Sequence, residues 1–140
     1  MSLYLDGSVV AKLLATEPDS GRVAEIIEME TNLVVSALAR LEALVVIKSL
    51  VAAGEISSRT ANRRQKQLQQ LLELPTFSFE RVGSNVFEVA ERQLDFSYCP
   101  TLDRLHLAVM QDLGLRRILT NDDQQARAAR ALGFQVVMPR

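Results

Sequence analysis

The chain is short of the residues that most often anchor specialised chemistry. Its 140 residues include one cysteine, one histidine and no tryptophan. The single Cys99 excludes an internal disulfide and a thiolate zinc site, and such sparing use of cysteine suits a reducing cytoplasm. An excess of one charge is also missing. The formal net charge is −1 and the pI about 5.9, so a nucleic-acid partner would have to be held by a local basic patch. No basic-then-apolar leader opens the chain. The most apolar stretch, Ser36 to Gly54, is interrupted by Arg40, Glu42 and Lys48, and reads as a buried helix and not a membrane span. Repeats, low-complexity tracts and Pro/Gly/Ser-rich linkers are absent as well. What is present is a 48% hydrophobic composition, enough to build one core in a single domain spanning residues 1–140.

Short β-like runs alternate with helical patterns. The strands are expected at Leu3–Leu5, Leu33–Val35, Phe77–Arg81, Arg117–Leu119 and Gln135–Met138. Helices are expected at Ser8–Ala15 and Asp19–Glu30, split by Glu17-Pro18, and at Ser36–Ala53 and Ser57–Leu74. Three more are expected at Asn85–Leu94, Thr101–Leu113 and Asp122–Leu132, the last two stopped by Gly114 and Gly133. This alternation predicts an α/β fold with a mainly parallel sheet. Ligands of such sheets gather beyond the carboxyl ends of the strands, near the point where strand order reverses.

Acids stand at those ends. Asp6 follows the first strand in "LYLDGS". Glu42 lies early in the helix that Ser36 caps after the second. Asp103 is in the first turn of the helix opened by "CPTLDRLHLA", and Asp122 and Asp123 follow the fourth strand in "RILTNDD". Each has an ordinary reading, as a turn residue, a helix cap or a complement to a helix dipole. Together they read differently. Glu42 sits among Leu38, Leu41, Ala43 and Val45, where a lone carboxylate is costly. Two unit charges about 5 Å apart repel by roughly 3 kcal/mol at an effective dielectric of about 20. A hard divalent cation relieves that repulsion. The absence of cysteine or histidine nearby, His106 apart, points to Mg²⁺ or Mn²⁺ and not zinc.

Four motifs in order, "LYLDGS", "SALARLEAL", "TLDRLHLA" and "LTNDDQQARAARALGF", resemble those of the PIN-domain family, and within it the VapC-type toxin ribonucleases. The resemblance covers essentially the whole chain. It implies a PIN-like three-layer fold, with a central mainly parallel five-stranded sheet flanked by helices. It also implies Mg²⁺- or Mn²⁺-dependent cleavage of RNA, a small antitoxin protein as partner, and a homodimer. Carried across by position, the catalytic and metal-binding acids fall on Asp6, Glu42, Asp103 and Asp122, supported by Ser8 and Thr120. Asp6 and Asp103 are expected as the central ligands. Gly7 stands where Thr, Ala or Ser is more usual, and reads as slack that lets the chain leave the strand sharply. Arg104 stands where Ala is common.

Other residues carry two readings. His106, one helical turn after Asp103, is a proton shuttle, a ligand, or a satisfied imidazole packed beside the site. Arg59, Arg63, Arg64 and Lys66 in "SSRTANRRQKQLQQ" form a solvated helix face or an RNA-phosphate contact. Arg40 and Arg104, closer to the acids, are expected to meet a scissile phosphate. Wide apolar faces in "SVVAKLLATEP" and "LEALVVIKSLVAA" are either core or a partner surface. The competing functions are a PIN nuclease of RNA maturation without an antitoxin, a catalytically silent PIN-like binding module, and an unrelated phosphoacceptor domain. The last needs a lysine after a late strand, and no lysine follows Lys66.

Overall fold

The fold was obtained as a computed structural model that describes residues 1–15 and 20–140. The first strand, β1 (Leu3–Leu5), is buried along its whole length. It lies at the centre of a five-stranded sheet with β2 (Leu33–Ser36), β3 (Phe77–Glu80), β4 (Arg117–Leu119) and β5 (Gln135–Val137), in the order β3-β2-β1-β4-β5. Every ladder is parallel. A strand covered on both faces needs apolar residues at consecutive positions, which is why "LYL" and "LVV" do not alternate with polar residues.

Side chains alternate across the sheet, so Leu3 and Leu5 enter one core and Tyr4 the other. The first core is closed by α1 (Gly7–Leu13), α2 (Ser20–Glu28), α3 (Ala37–Ala52) and α4 (Ser58–Leu72), through Val9, Val10, Val23, Ala39, Ala43 and Leu68. The second is closed by α5 (Val86–Gln93), α6 (Thr101–Asp112) and α7 (Asp123–Ala131), through Val89, Leu107, Met110 and Ala129. The result is the expected three-layer architecture.

Element ends agree with the sequence reading to within two residues wherever they are described. The Glu17-Pro18 break and the predicted start at Asp19 lie outside the described residues. Gly114 and Gly133 end α6 and α7 with φ of 71° and 85°, a conformation costly for other residues. Among the described residues, no helix is long and apolar enough to cross a membrane.

The strand order places the site. From β1 the chain moves outward to β2 and β3, then returns to the other side of β1 for β4 and β5. The reversal therefore falls between β1 and β4, whose carboxyl ends release Asp6 and Thr120 side by side. The backbone N–H of Asp6 donates to the carbonyl of Leu119 at 3.4 Å across this junction.

Candidate active site

Asp6 leaves β1 and caps α1. Its Oδ1 accepts the Val9 N–H at 2.9 Å and the Ser8 hydroxyl at 2.7 Å. Its Oδ2 accepts the Thr120 hydroxyl at 2.6 Å, and the Thr120 oxygen accepts the Asp122 N–H at 3.1 Å. One carboxylate thus joins the ends of two central strands. Helix cap and site carboxylate, posed above as alternatives, are compatible roles. A carboxylate offers about four acceptor positions, and three are occupied here. Ser8 and Thr120 fix the carboxylate plane from both sides.

Asp122 caps α7, its Oδ1 accepting the Gln125 N–H at 2.8 Å. The neighbouring Asp123 turns outward to Arg140 at 2.9 Å, and this guanidinium holds its carboxyl below the usual range. Of this pair, Asp122 is the one that faces the other acids. Asp103, in the first turn of α6, is half-buried, and its carboxyl is pushed up to about 6. Burial is the largest cause and repulsion from Asp122 the next. The neighbouring His106 imidazole opposes the shift, while Asp6 and Glu42 add to it. No lysine or arginine is among the groups that shift it. The other three predicted acids therefore all act on Asp103.

Glu42 projects from α3, and its Oε1 lies 2.9 Å from His106 Nε2. The imidazole is fully buried. Its Nδ1 is 2.6 Å from the Tyr4 hydroxyl, which is 2.8 Å from Ser36 Oγ. Ser36 Oγ also accepts the Ala39 N–H that opens α3, at 3.1 Å. Burial holds the Tyr4 phenol above its ordinary pKa, so it remains a hydroxyl. Tyr4 was missed in the sequence reading, where it is a strand residue and nothing more. A tyrosine inside a strand expected to be buried was the available signal, because a buried hydroxyl usually finds a partner.

Gly7 is not slack. Its φ is not in the left-handed region. A Cβ there would sit 2.4 Å from Glu42 Cβ and 2.7 Å from the Ala39 carbonyl oxygen. Glycine is present because α1 and α3 approach too closely for any side chain.

The donors are hard oxygens, clustered without a cationic partner for Asp103, and this chemistry suits a hard divalent ion. Among the described residues, no three His, Cys, Asp or Glu side chains stand close enough to hold an ion directly. The acids form an electrostatic pocket and not a finished coordination sphere, a state that suits an ion retaining several waters.

A family model described as PIN domain matches residues 3–131. The chain belongs to the PIN-domain family. It is 38% identical to Ribonuclease VapC46 of Mycobacterium tuberculosis, over 99% of this chain and 98% of that protein. The fold is similar to that of FitAcB from Neisseria gonorrhoeae, with a TM-score of 0.75, 18% identity, and coverage of 98% of this chain and 97% of the other. It is also similar to VapC20 of Mycobacterium tuberculosis, a sarcin-ricin loop cleaving toxin. There the TM-score is 0.71 at 18% identity, covering 94% of this chain and 95% of the other.

Two cations of this PIN domain do not lie where their sequence neighbours suggest. Arg104 is only 3% exposed. Its Nη1 donates to Gln93 Oε1 at 3.4 Å, and its Nη2 donates to the carbonyl of Ser97. The expected contact of Arg104 with a scissile phosphate is therefore corrected: the side chain turns inward and ties α6 to the segment before it. Asp103 and Arg104 are adjacent in sequence, and adjacent helical positions do not share a face. Replacing Arg104 by methionine should lower the melting temperature by several degrees while leaving the salt slope of RNA binding unchanged. A slope flatter by about one unit would restore the phosphate contact. Arg40 is exposed and stacks over the Phe79 ring at 4.5 Å, at the β3 edge of the sheet.

The α4 cations Arg59, Arg63 and Lys66 are exposed, as a solvated face requires. Cys99 is buried, and burial raises its thiol pKa. The apolar surplus is divided. Val9, Val10 and Ala11 are core, whereas Leu41 and Val45 of α3 are exposed. A larger exposed apolar group, Phe87, Leu94, Phe96 and Tyr98, lies on α5 and the segment after it.

Proposed function

We propose that this chain is a Mg²⁺- or Mn²⁺-dependent endoribonuclease, the toxin of a VapBC-type toxin–antitoxin pair. The observation that carries the proposal is the field around Asp103. Burial, with repulsion from Asp122, Asp6 and Glu42 added, pushes its carboxyl up to about 6, and Asp6 stands where the strand order reverses. The 38% identity to a protein named a ribonuclease supports the same reading. So does the fold shared with a sarcin-ricin loop cleaving toxin.

In this reading residues 1–140 form one PIN domain working in the cytoplasm. Asp6, Glu42, Asp103 and Asp122 would hold the ion, in part through the waters it retains. When bound, the divalent ion supplies positive charge to the phosphate oxygens and an acidified water as nucleophile near neutral pH. Ser8 and Thr120 keep the Asp6 carboxylate in a fixed plane. Asp103, ionised above about pH 6, supplies much of the negative charge that draws the ion in. Exposed Arg40 is placed to meet RNA phosphates outside the acid pocket. The exposed apolar residues of α3 and α5 are covered by the antitoxin and by a second copy of the chain.

The test is cleavage of tRNA, ribosomal RNA and messenger fragments with Mg²⁺ or Mn²⁺, with EDTA and Asp6→Asn as controls. Cleavage should need the metal and fall by more than about 100-fold in Asp6→Asn. Full cleavage by that variant, or none of any RNA by metal-loaded wild-type protein, would reject the proposal.

A further inference from the structure

The three buried groups behind Glu42 form a directed chain. Ser36 Oγ accepts from the Ala39 N–H, which leaves its own hydroxyl hydrogen for the Tyr4 oxygen. The Tyr4 hydroxyl then donates to His106 Nδ1, and Nε2–H donates to Glu42 Oε1. In this direction every polar hydrogen of the chain has an acceptor. Reversed, with Nδ1 donating to Tyr4 and Tyr4 to Ser36, the Ser36 hydroxyl hydrogen has no acceptor among the described residues. A buried hydrogen left without an acceptor is costly, so the first direction prevails.

We propose that His106 is a positioning residue, held in its Nε2–H form by Tyr4 and Ser36, which presents Glu42 to the acid pocket with one carboxylate oxygen engaged and the other uncommitted. The inference rests on Glu42 being a site acid, as proposed above, but its first test does not require cleavage. Glutamate has three rotatable side-chain bonds, and holding it in one rotamer costs conformational entropy. Two features impose that order here. Gly7 lets α1 press against both Cβ and Oε1 of Glu42, and His106 engages the same Oε1 at 2.9 Å. His106 touches no other acid through a hydrogen bond among the described residues, so it acts through Glu42.

The chain contains one histidine, so the imidazole can be read without assignment ambiguity. In nitrogen-labelled, metal-free wild-type protein, NMR should show the hydrogen on Nε2 and a bare Nδ1. A hydrogen on Nδ1, alone or together with one on Nε2, overturns the proposal whether or not the protein cleaves RNA. Tyr4→Phe deletes only the hydroxyl, and should lose the single tautomer. It should also lower kcat for RNA cleavage by about 10-fold or more with KM within about 2-fold, as loss of groups that orient metal-site ligands does. His106→Gln, which keeps an amide donor, should retain more activity than His106→Ala. In the His106→Ala background, Tyr4→Phe should have no further effect on kcat. A further loss there, or a wild-type kcat in Tyr4→Phe, also overturns the proposal. Should the wild type cleave nothing, the nuclease reading fails, and the NMR result still decides the role of His106.

Discussion

Replacing Asp103 by asparagine should abolish RNA cleavage and, at pH 7 without metal, make the protein melt at a higher temperature. Both effects follow from one carboxyl. Its folded pKa, about 6, lies above its ordinary value of 3.8. A raised carboxyl means that the folded state holds the proton more tightly than the unfolded chain, so ionisation disfavours folding. Below about pH 4 both states are protonated and nothing is lost. Between about pH 4 and 6 stability falls, and above about pH 6 the full penalty is present. Glu30 behaves in the opposite way, because its hydrogen bonds to Arg117 lower its pKa, so its contribution is lost as the solution is acidified. The whole-protein pH profile mixes the two. The difference between wild type and Asp103→Asn isolates the site.

Measured in EDTA from pH 4 to 8, that difference should be near zero at the acid end and grow to roughly 2–6 °C in favour of the variant at pH 7. Mg²⁺ should raise the wild-type melting temperature and raise that of the variant less. Cleavage should drop by more than about 100-fold. A variant that melts lower than wild type in EDTA at pH 7, or keeps a tenth of the activity, would show that Asp103 is not strained by its neighbours.

Gly7→Ala should have the second-largest effect, and here two terms of opposite sign compete. At a helical position without a left-handed φ, glycine to alanine usually stabilises by about 0.4–1 kcal/mol through the unfolded state. At Gly7 the added methyl meets Glu42 Cβ at 2.4 Å and the Ala39 carbonyl at 2.7 Å. Neither is the far end of a flexible side chain, so the helices must move apart, and overpacking of this kind costs about 1–3 kcal/mol. The steric term wins. The variant should melt several degrees lower and cleave at least about 10-fold more slowly, because Glu42 is displaced with its helix. Gly21→Ala is the matched control: nothing lies within 4 Å of the added methyl, so its melting temperature should stay level or rise. Equal behaviour of the two variants would remove the steric account of Gly7.

The layers and the four acids could be read from the chain because they rest on local patterns. Strands announce themselves by short apolar runs; Asp6 and Asp122 follow strands, Asp103 opens a helix, and Glu42 is a lone acid on an apolar helix. Their convergence needed only the rule that parallel sheets gather ligands at their carboxyl ends. Tyr4 and His106 could not be paired this way, since their contact joins residues 102 positions apart. Gly7 was misread for the same reason: its neighbour is another helix, and a steric limit between helices leaves no local trace. Arg104 was misplaced because closeness in sequence was taken for closeness in space. Arg40 was expected near Glu42, two positions away, yet it stacks on Phe79 at the sheet edge. Positions two apart on a helix diverge by about 200°.

The position of β1 also bears on how the protein is made. This strand is synthesised long before β4, yet it lies beside it in the middle of the sheet, with Tyr4 beside Ile118 and Leu5 beside Leu119. The hydroxyl that fixes the Asp6 carboxylate is Thr120, 114 positions later. Until that late segment has been synthesised and docked, Asp6 lacks its brace, and Asp122 is not yet in place. A nascent chain therefore lacks an assembled acid pocket until β4 and the start of α7 have followed β1, β2 and β3 into the sheet.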